Sequence, residues 1–274
     1  MRIVGSVLVR NEDGYLERAI RNVAGFCDRI HVLDHQSRDR TPEILLRLVD
    51  ELDHLEVERS ANAEVSHRQL QPYVGTDTWV LGVDGDELFD PVGLDRLRGD
   101  LEAGAFADAF RVKGHVLNCD ALNLETRTAQ GFLAPPSRPV TKLYNFAAVE
   151  SWPRCPQRLL GIDPKFRNGF HSESNAFLWQ TASWDEDPLR LLHVCFLRRS
   201  SLDDDDYPAG RRSLGDPSAQ RRNVMDWVRN ALRRGEDSTG RETEQHGANW
   251  KQNWYRHGDH VTLDASSFFP ELGS

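Results

Sequence analysis

The feature that most constrains this chain is a set of short apolar runs in its first 90 residues, each stopping abruptly on polar side chains. Residues 2–9 are almost continuously apolar and are followed at once by Arg10-Asn11-Glu12-Asp13. Residues 30–33 form a second run ending at Asp34, and residues 55–58 a third candidate. Residues 79–83 form a fourth, which runs into Asp84-Gly85-Asp86-Glu87. Runs of this kind suit strands buried on both faces of a parallel sheet. Between the first two, Tyr15, Leu16, Ala19, Ile20, Val23 and Ala24 fall on one side of a helix. Thr41-Pro42-Glu43 offers an N-cap, an N1 proline and a first-turn carboxylate for a helix reaching about Leu52. A polar helix is expected over 62–74. Strands alternating with helices imply a parallel sheet with right-handed crossovers. Ligands of such sheets bind outside the carboxyl ends of the strands. Arg10-Asn11-Glu12, Asp34 with Ser37 and Asp39, and Asp84-Gly85-Asp86 are therefore expected to meet in one crevice.

The rest of the chain reads differently. Residues 109–117 and 141–146 look like strands separated by a loop with prolines and an arginine at 131–140. Leu189 to Phe196 is another short apolar run, interrupted by His193. Beyond it come four consecutive aspartates at 203–206, an amphipathic helix candidate at 216–234, and a polar stretch with Trp250, Lys251, Trp254, Tyr255, Arg256 and His257. The tryptophans, four apart, would anchor an ordinary helix; the alternative is a lid over a ligand. This gives one α/β domain over 1–200, in which 1–105 carries the ligand-binding half and 106–200 an acceptor half. Residues 201–274 would be a helical or lid extension packed on that domain. At 274 residues the chain can bury a large core.

A net charge of −9 argues against a broad surface for nucleic acid. No run approaches the ~20 apolar residues of a transmembrane helix, and the N-terminal run is too short for a signal peptide. Cys27, Cys119, Cys155 and Cys195 have no metal-ligand spacing and are expected as reduced thiols in a cytoplasmic protein.

Asp84 and Asp86, one residue apart at a strand end, have the chemistry to hold Mg²⁺ or Mn²⁺, with Gly85 permitting close approach of backbone and ligand. Such a cation would neutralise charge developing on a diphosphate leaving group. An isolated Asp-x-Asp is a common acidic turn; its place after the fourth strand favours the metal reading. Asp34 is either a turn residue or an acceptor for a base N–H or ribose hydroxyl. Ser37, Asp39 and Thr41 fit turn shaping and helix capping better than ligand contact.

Val9-Arg10-Asn11-Glu12 through Leu16, then Val32-Leu33-Asp34-His35-Gln36-Ser37-Arg38-Asp39-Arg40-Thr41, and finally Val83-Asp84-Gly85-Asp86-Glu87, resemble the motifs of family 2-type glycosyltransferases in their usual order. The resemblance covers roughly the first 90 residues. It implies a GT-A fold: a mostly parallel nucleotide-binding sheet flanked by helices and continuous with a smaller mixed sheet. It implies that Arg10, Asn11, Glu12 and Asp34 line the base and ribose pocket, that Asp84 meets the sugar nucleotide, and that Asp84 and Asp86 hold a divalent metal. It puts Arg68 beside the diphosphate, although a solvated helix arginine is an equal account. It also makes His193, otherwise a core histidine, a candidate third metal ligand. Arg38 and Arg40 depart from the pattern, because small residues are usual in that turn.

The expected reaction moves a sugar from a nucleoside-diphosphate sugar to a hydroxyl of a small molecule or glycan. An inverting transferase needs a carboxylate to take the acceptor proton. Glu173 and Asp187 are the leading candidates, with Glu150, Asp185 and Glu186 behind them; Gly169-Phe170-His171-Ser172-Glu173 resembles a segment of some relatives, which implies that Glu173 or His171 faces the acceptor. A retaining enzyme would need no such base. The competing readings are a nucleotidyltransferase, whose Gly-rich phosphate loop is missing after the first strand, and a sugar-nucleotide-binding protein without turnover. No GxGxxG follows the first strand, which excludes a Rossmann dehydrogenase.

Overall fold

The computed structural model describes residues 1–135, 142–155, 157–159, 164–202 and 255–270. The first 84 residues run β1 (Arg2–Val9), α1 (Leu16–Ala24), β2 (Arg29–Asp34), α2 (Thr41–Glu51), β3 (Leu55–Arg59), α3 (Val65–Arg68) and β4 (Thr78–Asp84). Then follow β5 (Glu87–Phe89), α4 (Pro91–Glu102), β6 (Arg111–Lys113), β7 (Val116–Asn123), β8 (Thr128–Ala134) and β9 (Leu143–Asn145). The remaining described strands are β10 (Val149–Ser151), β11 (Lys165–Phe166), β12 (Asn175–Phe177), β13 (Leu191–His193) and β14 (His260–Asp264).

Among the described residues, one sheet has seven strands in the order β12-β6-β9-β4-β1-β2-β3. Strands β3, β2, β1 and β4 are mutually parallel, and β9 joins β4 antiparallel. A second sheet, β14-β8-β7-β13-β5, is mixed: β13 is parallel to β7 and antiparallel to β5. The expected α/β class, a mostly parallel helix-flanked sheet with a smaller mixed one, is what the chain forms.

The apolar runs are buried on both faces because strand side chains alternate. On β1, Ile3, Val7 and Val9 join Leu16, Ile20 and Val23 of α1, Leu45 and Leu48 of α2, and Leu94 and Leu97 of α4 in one core. Val4 and Val80 turn to the other face and pack with Leu70, Tyr73, Phe110, Tyr144 and Trp152. Both faces of the sheet are therefore closed over β1, β2 and β4, while the edge strand β3 is exposed beyond Leu55.

Several expectations are revised. The polar helix expected over 62–74 is only the single turn of α3 and a 3₁₀ turn at Gln71–Tyr73; Pro72 disfavours helical geometry at the residue before it. The strand expected over 109–117 breaks into β6 and β7 at Gly114, where an added Cβ would lie 2.5 Å from the Leu189 carbonyl oxygen. The run 189–196 narrows to β13. Helix α4 went unread, yet Asp90-Pro91 carries the same signature as the start of α2. The Asp90 side chain accepts from the Val92 N–H at 3.1 Å. The aspartate run at 203–206, the helix candidate at 216–234, and Trp250, Lys251 and Trp254 lie outside the described residues. The four cysteines are free, and no described helix is long and apolar enough to cross a membrane.

Asn22 ties helix α1 to the mixed sheet and to the 3₁₀ turn at Ser266–Phe268. It is buried on α1, and its Nδ2 donates to the Phe89 carbonyl at 2.8 Å and to the Phe268 carbonyl at 3.0 Å. Replacing Asn22 with alanine leaves two buried acceptors unpaired, which costs about 2–4 kcal/mol. Thermal unfolding of Asn22→Ala should show a melting point lower by about 4–12 °C, and an unchanged value would mean that this bridge is dispensable.

Candidate functional site

The carboxyl ends of β1, β2 and β4 do meet. The turn after β1 and the turn after β2 are laced by reciprocal hydrogen bonds. Asn11 N–H donates to Ser37 Oγ at 2.9 Å, Glu12 N–H to Thr41 Oγ1 at 2.9 Å, and Asp13 N–H to Asp39 Oδ2 at 3.2 Å. In return, Asn11 Oδ1 accepts from Arg38 N–H at 2.7 Å and Asp13 Oδ2 from Arg40 N–H at 3.3 Å. The alternate spacing of Ser37, Asp39 and Thr41 thus matches three consecutive backbone donors. Thr41 opens α2 but serves Glu12 instead of capping its own helix, whose N-cap is Arg40 without a side-chain bond. Asn11 and Gln36 take the left-handed conformation at φ 53° and 58°, which asparagine tolerates best among non-glycine residues.

Asp34 ends β2 and is 1% exposed. Its Oδ1 accepts from the Ser37 N–H at 2.8 Å. Its Oδ2 is buried without a hydrogen bond among the described residues and lies 3.5 Å from Arg59 Nη1. Arg10 and Asn11 are half-buried and Glu12 is buried beside it.

The Asp84-Gly85-Asp86 turn is the place where the chain leaves the seven-stranded sheet and enters the mixed one. Strand β5 begins at Glu87 and pairs with β13, setting Glu87 opposite His193, and β13 in turn sets His193 beside Asn118 of β7. Backbone continuity confirms the junction: the Val194 N–H donates to the Asp86 carbonyl at 2.9 Å. This explains how a histidine more than 100 residues away reaches the acidic turn.

The carboxylates are met by protein cations. Lys142 Nζ lies 3.0 Å from Asp84 Oδ2 and 2.6 Å from Glu87 Oε1. Arg158 pairs with Asp84 Oδ1 and donates to the Val83 carbonyl at 2.8 Å. Arg199 pairs with Asp86 Oδ2 and lies 3.7 Å from Glu12 Oε1. His193 Nε2 stands 3.6 Å from that same Asp86 oxygen, and its Nδ1 is 2.9 Å from Asn118 Oδ1. Burial by itself would raise the Asp84 and Asp86 carboxyls. Arg158 and Lys142 outweigh it at Asp84, and Arg199 with His193 at Asp86, so both stay well below the usual carboxylate range. Glu87 is pushed up by burial, with Lys142 opposing and Asp84 adding to the rise. Lys142 is raised, because Asp84 and Glu87 overcome its burial.

A carboxylate oxygen and an imidazole nitrogen that face each other, with the imidazole held through its second nitrogen, are a sound metal pair. Asp86 and His193 meet that description, and the Arg199 guanidinium supplies a stand-in positive charge on the same oxygen. Asp84 does not join them, since both its oxygens are engaged by Lys142 and Arg158. Among the described residues, no group of three or more His, Cys, Asp and Glu side chains is arranged to hold a metal. The expected ligands Asp84, Asp86 and His193 do not form such a group among the described residues, and Asp84 Oδ1 and Oδ2 are paired with Arg158 and Lys142.

The other expected residues are not in this cluster. Arg68 is exposed at the last residue of α3. Glu173 is exposed in the loop before β12, an edge strand of the seven-stranded sheet. Asp187 is fully buried: its Oδ2 accepts from the His115 N–H and meets His115 Nδ1, both at 2.7 Å, while Oδ1 accepts from the Leu189 N–H at 2.8 Å. Those bonds commit it to holding β7 against the segment before β13. Lys142, Arg158 and Arg199 went unread. A lysine heading the buried triplet Leu143-Tyr144-Asn145 was the only local signal.

Gly85 has a specific reason. A Cβ there would lie 2.8 Å from both Cβ and Cγ of Glu12 and 3.1 Å from Val9 Cγ1. The glycine makes room for the Glu12 side chain.

The comparisons add likenesses of fold. No family model matches the chain, and no curated protein matches it. Among solved structures it is similar to TarS of S. aureus, at 18% identity and a TM-score of 0.38 over 54% of this chain and 29% of that one. It is also similar to glucosyl-3-phosphoglycerate synthase of Mycobacterium tuberculosis, determined with Mn²⁺, UDP-glucose and phosphoglyceric acid, at 19% identity and 0.33 over 42% of this chain and 44% of that one. The mannosyltransferase PcManGT of Pyrobaculum calidifontis, determined with GDP-Man and Mn²⁺, gives 19% and 0.32 over 44% and 36%. The matched region spans less than half the length of each of these proteins, so the chemistry has to be argued from this chain's own residues.

Two outcomes follow. Gly85→Ala should cost about 1–3 kcal/mol through overpacking, and Gly85→Ala combined with Glu12→Gly, which removes both clashing atoms, should recover most of it in a double-mutant cycle. Purely additive losses in urea unfolding would refute the contact. The lowered carboxyls of Asp84 and Asp86 stabilise the fold fully above the unfolded value near 4, and that stabilisation is lost as pH falls through the lower folded values. The unfolding free energy of the wild type should therefore drop more steeply below about pH 4 than that of Asp86→Asn; equal slopes would show that Asp86 does not couple to folding.

Proposed function

We propose that this chain transfers a sugar from a nucleoside-diphosphate sugar to an acceptor hydroxyl. The observation that carries the reading is the meeting, at the carboxyl end of a parallel sheet, of a buried aspartate (Asp34), whose Oδ2 has no hydrogen bond among the described residues and only the Arg59 guanidinium 3.5 Å away, and a junction rich in paired acids and bases (Asp84 to Glu87). Asp34 Oδ2 suits a ribose hydroxyl or base N–H, since a buried acceptor is normally satisfied. Arg10, Asn11 and Glu12 would border the same pocket. Lys142 and Arg158 supply fixed positive charge near the diphosphate, with Arg199 beside them, the role that the motif resemblance gave to Arg68.

In this reading Asp86 and His193 would hold the divalent cation, Mn²⁺ or Mg²⁺, and Asp84 would bear on the sugar nucleotide through its two cationic partners. The cation, when bound, supplies charge neutralisation for the leaving diphosphate. The remaining work belongs to the protein: the laced turns fix the donor pocket, and the buried salt links keep Asp84 and Asp86 ionised at neutral pH. Asp187 is committed to His115, and Glu173 precedes β12, whose Asn175 is level with Val80 of β4 and so toward the amino end of the sheet, so this reading draws on neither for the acceptor proton.

The test is a thermal-shift and turnover screen of UDP, GDP, CDP, ADP and dTDP and their sugars, each with Mn²⁺, Mg²⁺ or EDTA. A ligand specific for the native state raises the melting point by mass action. One nucleotide family should give a shift and release of free nucleoside diphosphate, and Asp34→Ala should weaken that nucleotide by about tenfold, the loss of one charge-assisted hydrogen bond. A folded protein that neither binds nor turns over any of them would end the transferase reading.

A further inference from the structure

The strand that delivers His193 continues into a strap that closes over the acidic junction. The Arg199 carbonyl accepts from the Gly14 N–H at 2.8 Å, and an added Cβ on Gly14 would fall 2.8 Å from that oxygen. Ser200 Oγ donates to Asp39 Oδ2 at 2.6 Å. Ser201 donates to Asp13 twice, from its N–H at 2.7 Å and from its Oγ at 2.5 Å. Residues 199–201 are thus pinned to the laced turns after β1 and β2, and the Arg199 backbone is fixed at the edge of the donor pocket.

The side chain of Arg199 lies on one oxygen, Asp86 Oδ2, with Glu12 Oε1 3.7 Å away. His193 Nε2 approaches that same oxygen to 3.6 Å. A divalent cation held by Asp86 and His193 would need the space beside this oxygen, where the guanidinium now stands. Two cations in contact with one carboxylate oxygen repel each other across a poorly screened interior. Only one of them can hold the oxygen at a time. Arginine has the means to give way: its long side chain can turn while its backbone stays tethered, and its planar fork of donors matches phosphate oxygens as well as a carboxylate.

We propose that Arg199 is a placeholder cation, which neutralises Asp86 and Glu12 while no metal is bound and is released to the donor's phosphate groups when a divalent cation takes its place. The second half of this proposal rests on the transferase reading above; the first half does not. The device would couple metal and donor binding, because the cation that enters frees the group that grips the phosphates. It would also prevent the acidic junction from carrying unpaired buried carboxylates in the free protein, an arrangement that is strongly destabilising.

The test is direct binding of Mn²⁺ alone, followed through the electron paramagnetic resonance signal of free Mn²⁺, in the wild type and in Arg199→Gln. Removing the competitor should tighten Mn²⁺ binding about tenfold or more, while Arg199→Lys, which keeps a cation there, should not tighten it. Repeating the measurement with the nucleoside diphosphate selected by the screen, at saturating Mn²⁺, Arg199→Gln should lose about tenfold in nucleotide affinity. If Arg199→Gln does not fold by circular dichroism, Arg199→Met keeps the volume without the charge and carries the same expectation. A folded uncharged variant that binds Mn²⁺ no tighter than the wild type would overturn the placeholder. Tighter Mn²⁺ binding with no nucleotide bound by either protein would uphold the placeholder and overturn the transferase reading instead.

Discussion

The structure turns on a two-residue crossing. At Gly85 and Asp86 the chain passes from the end of β4 in the parallel sheet to the start of β5 in the mixed sheet, and β5 then recruits β13. Four carboxylates, Glu12, Asp84, Asp86 and Glu87, gather around that crossing and face Lys142, Arg158, Arg199 and the His193 imidazole. Buried charges are tolerable only when paired and hydrogen-bonded. The pairing partners come from three separate stretches of chain, so the crossing draws those stretches together alongside the apolar core.

Around this junction the fold separates rigidity from chemistry. Ile3, Val7, Leu81 and Val83 close one face of the parallel sheet while Val4 and Val80 close the other. Side chains along the central strands β1, β2 and β4 are largely buried, and the charged groups gather at their carboxyl ends. The turns after β1 and β2 are held by bonds to each other, so they present Asp34 and Glu12 in fixed positions. Preorganised polar groups of this kind bind a charged ligand without reordering. The strap at 199–201 belongs to the same economy, since its serines use Asp13 and Asp39, which already hold the two turns.

Much of the fold was legible because it rests on local patterns. The runs at 2–9, 30–33, 55–58 and 79–83 became β1 to β4 nearly residue for residue, and the one-sided pattern after Gly14 became α1. The failures have local causes too. Pro72 cut short the helix expected over 62–74, and Gly114 broke the strand expected over 109–117 by sending it to another sheet. Asp90-Pro91 announced α4 in the same terms that announced α2, and there the signal was present but unused.

What the sequence by itself determined is the first βα half and the convergence of Arg10 to Glu12, Asp34 and Asp84 to Asp86, because period and strand-end polarity are encoded within a few neighbouring residues. Only the tertiary structure decided which charges face those acids. Lys142, Arg158, His193 and Arg199 lie far along the chain from their partners, and nothing in their immediate neighbours says where a strand pairing will bring them. The same long-range pairing separated Asp84 from Asp86: two carboxylates that look equivalent in sequence end with different partners, one held by Lys142 and Arg158, the other turned toward His193 and Arg199.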